Sequence, residues 1–318
     1  MKSTVFMFSG QGSHYRNMGR EFYESSPIFR EWLGKGDKIV QNLIQRSIIT
    51  ELYTERPVSE PFDDILVTNP AIFLVEYAIY QVLLKEGLKP DNVLGCSVGE
   101  YAASVVAGIW SFEVALTTLI EQSKRLIAHC EQGGMTAVLD DPSRYKQLEQ
   151  LQDNVSLAGI NFQLHFTISG SKKALSVAED YLASKRVCYQ RLPVCYAFHS
   201  ANIESAEPEF RMYCQTLPPF KTPEIPYMSG IKAEFLKTPP QNYFWDVIRY
   251  PLKFQENLQL FEKQGDNIYL DLGPQGTLAN FVKRNIATQT KSTYAILTPF
   301  HQGVAAIAKI KAEVLNVT

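Results

Sequence analysis

The chain lacks the features that mark several common protein classes. Its five cysteines (Cys96, Cys130, Cys188, Cys195 and Cys214) are scattered, odd in number and contain no Cys-x-x-Cys pair. That leaves no zinc knuckle and no disulfide framework, so no metal site is expected, and a reducing cytoplasm is the expected setting. Lysine and arginine (31) nearly balance aspartate and glutamate (33), and no long basic run occurs. Neutralising phosphates takes clustered cations, so a dedicated nucleic-acid binder is excluded. Modest basic patches for an acidic protein partner remain open. The opening MKSTVFMFSGQG meets its glycines too soon for a secretory apolar region. No later apolar stretch reads as long enough to cross a bilayer, so no membrane is expected as a partner. Internal repeats and low-complexity segments are also missing.

What is present is an ordinary apolar content, 45% of 318 residues, enough for a substantial core in one large domain or two moderate ones. STVFMFSGQGS reads as a buried strand ending in a glycine turn. Residues 70–87 carry apolar residues at helical spacing, with Pro70 at the start and Gly87 at the end. A short strand follows in DNVLG, then helices over 100–108 and 111–129. This alternation predicts a layered α/β domain. From Gly133 the texture changes to a compact β-α-β-α-β run: GGMTAVLDD, 142–152, HFTISG, 171–184 and CYQRLPV. It predicts a small split-βαβ unit over 132–196, inserted between two parts of the larger domain, 1–131 and 197–318. The larger pattern resumes with a helix over 203–216.

VLGCSVGEYAA places Gly95, Ser97 and Gly99 in the spacing G-x-S-x-G between a strand-like and a helix-like segment. A serine on so tight a turn holds a strained backbone, and small residues two positions away relieve the crowding. The turn exposes the hydroxyl at a helix N-terminus, where free N–H groups favour negative charge. The plain alternative is a glycine turn with a buried serine. Cys96 is a rival nucleophile, but neighbours of the central elbow residue point sideways into packing, so a small buried thiol is expected there. Of five histidines, His199 in VCYAFHSA reads as the base, at an apolar strand end facing a cleft. His14 reads as loop, His129 as helix surface, His165 as part of a strand in the small unit, and His301 as a docking turn. The glycines of FSGQGS allow close backbone approach, so the Gln11 amide can join that of Val98 as an oxyanion donor.

FSGQGS, GCSVGE, GINF, AFHS, YPLKF and DLGPQGTLANFVKR occur in that order over roughly residues 4–302. Together they resemble the malonyl-CoA:acyl-carrier-protein transacylase family. Within it the chain is similar to the stand-alone acyltransferase homologues of trans-acyltransferase polyketide synthases, and among these to the branch regarded as acyl hydrolases. The resemblance implies an α/β-hydrolase-like core with an inserted ferredoxin-like subdomain and a site in the cleft between them. It places the nucleophile at Ser97, the catalytic histidine at His199 and the oxyanion donors at Gln11 and Val98. It implies no carboxylate third member; a backbone carbonyl, falling on Lys253, would orient the histidine. Gln122, Asn161 and Cys96 would line the substrate. No bound cofactor is implied. The substrates would be phosphopantetheine thioesters of acyl carrier protein, or coenzyme A, with the carrier protein as partner and a monomer as the expected state.

Two departures bear on the activity. The family elbow usually reads GHSLGE, and Cys96 replaces its histidine. Transferases that take malonyl groups carry an arginine on the helix after the elbow, and that position falls on Gln122. Glutamine cannot neutralise a buried carboxylate. Arg125, three residues on and on a neighbouring side of the helix, is the alternative clamp. The expectation is a serine-dependent hydrolase of non-malonyl acyl groups, with transfer of a short acyl or malonyl unit from coenzyme A as the second reading. A non-catalytic scaffold is disfavoured because Ser97 and His199 are both present, and a general esterase because its triad would run Ser…Asp/Glu…His.

Overall fold

The computed structural model describes residues 2–57, 59–151, 155–286, 293–300 and 302–314. Its strands are β1 (Ser3–Phe8), β2 (Asn92–Gly95), β3 (Gly133–Leu139), β4 (Val155–Phe162), β5 (His165–Ser171), β6 (Cys188–Arg191), β7 (Tyr227–Met228), β8 (Phe235–Leu236), β9 (Asn267–Asp271) and β10 (Thr293–Ala295). They form a large sheet, β10-β9-β1-β2-β7-β8, and a small one, β4-β5-β3-β6. The large sheet is parallel except at its β7–β8 edge. A parallel sheet is covered on both faces, which explains the unbroken apolar run of β1. Phe6 and Phe8 enter the core on one face, while Val5 and Met7 enter a second cluster on the other.

The helix Ile65–Lys85 starts earlier than its proline suggests. Asp64 caps it, its Oδ1 accepting the Leu66 N–H at 3.0 Å, so Pro70 lies inside the helix and not at its first turn. With 21 residues it is long and apolar enough to span a bilayer, contrary to the sequence reading. Here it is a core helix, buried from Val67 to Ile79 against neighbouring elements.

The small sheet is antiparallel and, with the helices Tyr145–Leu151 and Lys172–Ser184, forms a ferredoxin-like βαββαβ unit. The sequence reading missed β4. Gly159 interrupts its alternation, and its register against β5 shifts between Leu157 and Gly159 and again between Ile160 and Phe162. The glycine is needed: a Cβ there would sit 3.0 Å from the Leu252 carbonyl oxygen, where β4 bridges to the segment carrying Leu252. The last strand, β6, stops at Arg191, so the chain returns through turns and His199 lies in a turn, not at a strand end. The expected helix over 203–216 splits into a 3-10 turn, Ala201–Ala206, and a helix, Glu207–Cys214.

β1 and β2 run side by side, and the helix Gly99–Val106 springs directly from the end of β2. A Cβ on Gly99 would run into the Phe8 carbonyl, with the Ser9 oxygen only 2.6 Å away. Gly99→Ala is therefore expected to lower stability by about 1–3 kcal/mol, as overpacking against rigid backbone does, measured as a shift in the urea unfolding midpoint at unchanged slope.

Candidate active site

Ser97 occupies the tip of the β2–helix turn with φ 56°, in the left-handed region that a non-glycine residue adopts only under constraint. Gly10 presses against it from the end of β1; a Cβ on Gly10 would lie 2.7 Å from Ser97 Cβ. The second constrained residue is His199, φ 60°, whose N–H donates to the Ile248 carbonyl at 2.7 Å. These two left-handed turns bring side chains 102 positions apart together: Ser97 Oγ is 3.1 Å from His199 Nε2.

His199 Nδ1–H donates to the Tyr250 carbonyl at 2.8 Å. That leaves Nε2 without a proton and fixes the tautomer able to accept one from Ser97. The sequence reading placed this carbonyl at Lys253, which the structure corrects. The Lys253 carbonyl accepts the Asn257 N–H at 2.9 Å and so opens the helix Phe254–Gln264. Tyr250 precedes Pro251, and a residue before proline is pushed out of helical geometry. At φ −96°, ψ 155° its carbonyl leaves the helix Tyr243–Arg249 and is available to the imidazole. Burial pushes the His199 pKa down to about 4, so the ring is a neutral base at ordinary pH.

Gln11 follows β1, and Val98 stands just before the helix Gly99–Val106. Neither backbone amide donates to a partner among the described residues. The Gln11 side chain is tied to the helix Ile65–Lys85, donating to Thr68 Oγ1 at 2.9 Å and to Asn69 Oδ1.

A cavity of about 360 Å³ opens over Ser97 and His199, between the two sheets, with Cys96, Asn161, His165, Leu192, Phe198 and Phe281 among its walls. Cys96 is 5% exposed, and burial, with Glu100 next, pushes its thiol well above the usual range. It lines the cavity as a neutral thiol, not as a nucleophile. Asn161 lies 2.9 Å from His165 through Nδ2 and Nδ1. Gln122, expected at the substrate, is not among the cavity-lining residues: its Nε2 donates to the Phe244 carbonyl at 2.9 Å, and its side chain is buried between helices. Arg125 does not replace it. Its guanidinium pairs with Glu121 at 2.6 Å and lies over the Tyr213 ring. No lysine or arginine lines this cavity among the described residues.

Of the remaining histidines, His14 is buried in the turn after β1, His129 ends a helix paired with Glu209 at 2.9 Å, and His301 lies outside the described residues. Three site features escaped the sequence reading. The Tyr250 carbonyl carries a signal in the Tyr-Pro pair that ends a helix. His165 carries no signal in the sequence beyond its place in a strand, yet it lines the cavity. Glu76, a lone carboxylate in the run AIFLVEYAIY, is fully buried behind the loop after β1.

The model of the acyl transferase domain family matches residues 5–317. The chain is 38% identical over 314 residues to the polyketide biosynthesis acyltransferase homolog BaeD of Bacillus velezensis, covering 98% of this chain and 97% of that one. To the corresponding homolog PksD of Bacillus subtilis it is 40% identical over 300 residues, covering 94% and 92%. Among solved structures, MCAT from Streptococcus pneumoniae superposes with a TM-score of 0.80 at 25% identity, over 96% of this chain and all of that one. A tight Gly-x-Ser-x-Gly turn, a carbonyl-oriented histidine and a small antiparallel unit over the cleft thus stand in a chain that belongs to the acyl transferase domain family, alongside acyltransferase homologues of polyketide biosynthesis.

Proposed function

We propose that the chain is an acyl hydrolase that removes neutral, non-malonyl acyl groups from the phosphopantetheine thioesters of acyl carrier proteins in a trans-acyltransferase polyketide synthase. The observation that carries this reading is that no lysine or arginine lines the cavity among the described residues, with Gln122 bound to Phe244 and Arg125 pinned by Glu121. A malonyl carboxylate in that cavity would be an unpaired buried charge, which is strongly unfavourable.

In this mechanism Ser97 Oγ attacks the thioester carbonyl as His199 Nε2 takes its proton. The Gln11 and Val98 amides hold the oxyanion. Collapse expels the carrier thiolate, which takes the proton from His199, and leaves an acyl-serine. Water then attacks the ester, its proton passing to His199 and on to Ser97 Oγ, and the free acid leaves. The second reading, transfer from coenzyme A to a carrier protein, shares the first half and is favoured by the family's name; it differs in the thiol, rather than water, that discharges the enzyme.

The Asn161–His165 contact supports a pantetheine substrate. If Asn161 donates to Nδ1, its Oδ1 is left as an acceptor and His165 Nε2 carries a proton; if the roles reverse, Nδ2 is the donor and Nε2 the acceptor. Either arrangement offers the cavity one donor and one acceptor, the complement of a secondary amide. Pantetheine carries two such amides.

Three outcomes are expected. Acetyl-loaded carrier protein is cleared about 100-fold faster than malonyl-loaded carrier, the scale of an unpaired buried charge; equal rates, read by intact-protein mass spectrometry, contradict the neutral-chain reading. The kcat/KM for an acetyl thioester stays level from pH 8 to pH 5 and falls below that, because only neutral His199 accepts the serine proton and its pKa is about 4. A fall centred near pH 6.5 contradicts the buried-base account. His165→Phe slows acylation by acetyl-pantetheine several-fold while leaving a simple alkyl thioacetate unchanged; equal losses for both would deny the amide contact.

A further inference from the structure

Behind the loop that carries the Gln11 amide lies a carboxyl group that the chemistry above does not use. Glu76 is fully buried on the helix Ile65–Lys85. Its Oε1 accepts the Ser9 N–H at 2.6 Å and lies 2.9 Å from Ser9 Oγ. Ser9 Oγ is 2.8 Å from Ser13 Oγ, which in turn donates to the Gly10 carbonyl at 2.7 Å. The contacts form one line, Glu76–Ser9–Ser13–Gly10, and run through the turn on which Gln11 sits. The same helix grips that turn a second time, through Thr68 and Asn69 on the Gln11 side chain. Asn69 and Glu76 are seven residues apart, two helical turns along one face.

The line has three oxygen–oxygen contacts, and each needs a proton. The Gly10 carbonyl can only accept, so Ser13 donates to it and Ser9 donates to Ser13. The two serines are then spent, and the third proton must come from the carboxyl group. Glu76 Oε2 is buried without a partner among the described residues, and no cation approaches either oxygen. A charged carboxylate left so exposed to a dry interior is strongly disfavoured, whereas an acid group is not.

We propose that Glu76 is a positioning residue that works as an uncharged acid: it gives its proton to Ser9 and holds the β1 loop so that the Gln11 amide faces the developing oxyanion. Burial, with the neighbouring carboxylate of Asp271 adding to it, pushes its pKa well above the ordinary range. Neutrality also matters for the chemistry, since a fixed negative charge behind an oxyanion donor would oppose the charge that the donor is there to stabilise.

The inference rests on the acyl-serine reading, and its test separates the two. Single-turnover acylation of Ser97 by an acetyl thioester is followed by mass spectrometry in the wild type, Glu76→Gln and Glu76→Leu, with folding checked by circular dichroism. Gln, neutral but able to keep only one of the two contacts that Oε1 makes to Ser9, is expected to lose clearly less than Leu. Leu, of similar size without an acceptor or donor, is expected to lose about 10- to 100-fold in the saturating rate, as a misplaced oxyanion donor does, with half-saturation unchanged. Infrared difference spectra of wild type minus Glu76→Gln at neutral pH should show the carbonyl stretch of a protonated carboxylic acid. A folded Leu variant acylating at the wild-type rate, a Gln variant falling as far as Leu, or no protonated-acid band overturns the proposal. If Leu does not fold, Ser9→Ala takes its place: a several-fold slower acylation is expected, and a wild-type rate overturns it. A wild type never acylated on Ser97 overturns the acyl-transfer reading and this inference with it.

Discussion

The site depends on two backbones touching. The ends of β1 and β2 lie side by side, and the turn after each is so close to the other that Gly10 and Gly99 have no room for a side chain. From this contact follow the strained Ser97, the placing of the Gln11 loop beside it, and the start of the helix that carries the Val98 amide at its mouth. The strain is held by close neighbours: Gly10 presses against Ser97, and the Ile248 carbonyl holds the His199 N–H. Local strain of this kind persists only where the surroundings over-determine it.

The parts of the site that were legible in the sequence are those whose chemistry is local. The Gly-x-Ser-x-Gly spacing marks Ser97 because crowding on a turn dictates small residues at fixed offsets. The β1 run was legible because a strand covered on both faces is apolar at consecutive positions, as Val5–Phe8 are. What was not legible depends on contacts between distant segments. The carbonyl that orients His199 was assigned by motif to Lys253 and belongs to Tyr250, because Pro251 turns the one carbonyl outward while a helix start consumes the other. The strand β4 was hidden by Gly159, whose smallness serves the Leu252 backbone and not its own sheet. Pro70 suggests a helix start, but the cap is Asp64, six residues earlier, and the proline lies inside the helix.

Gln122 shows how a departure from a family pattern acquires physical content. On sequence it is an arginine missing; in the structure it is a side chain bound to the Phe244 carbonyl, outside the cavity wall. The cavity over Ser97 is then bounded by apolar and uncharged polar groups, and by histidines that burial keeps neutral. The buried acids nearby, Glu76, Glu100 and Asp271, are all pushed upward in pKa by desolvation, so the region behind Ser97 carries less negative charge than its composition suggests.

In the proposed function a neutral acyl group passes through Ser97 to water, and the lifetime of the acyl-serine decides between water and a thiol as the acceptor. Enzyme is mixed with acetyl-loaded carrier protein, quenched at intervals and digested, and the peptide containing Ser97 is weighed, with and without excess unloaded acceptor carrier. Hydrolysis requires an adduct on Ser97 that decays in water to free acetate at a rate the acceptor barely changes. An adduct on Cys96, or an acyl-serine stable in water and discharged promptly by the acceptor carrier, would contradict it.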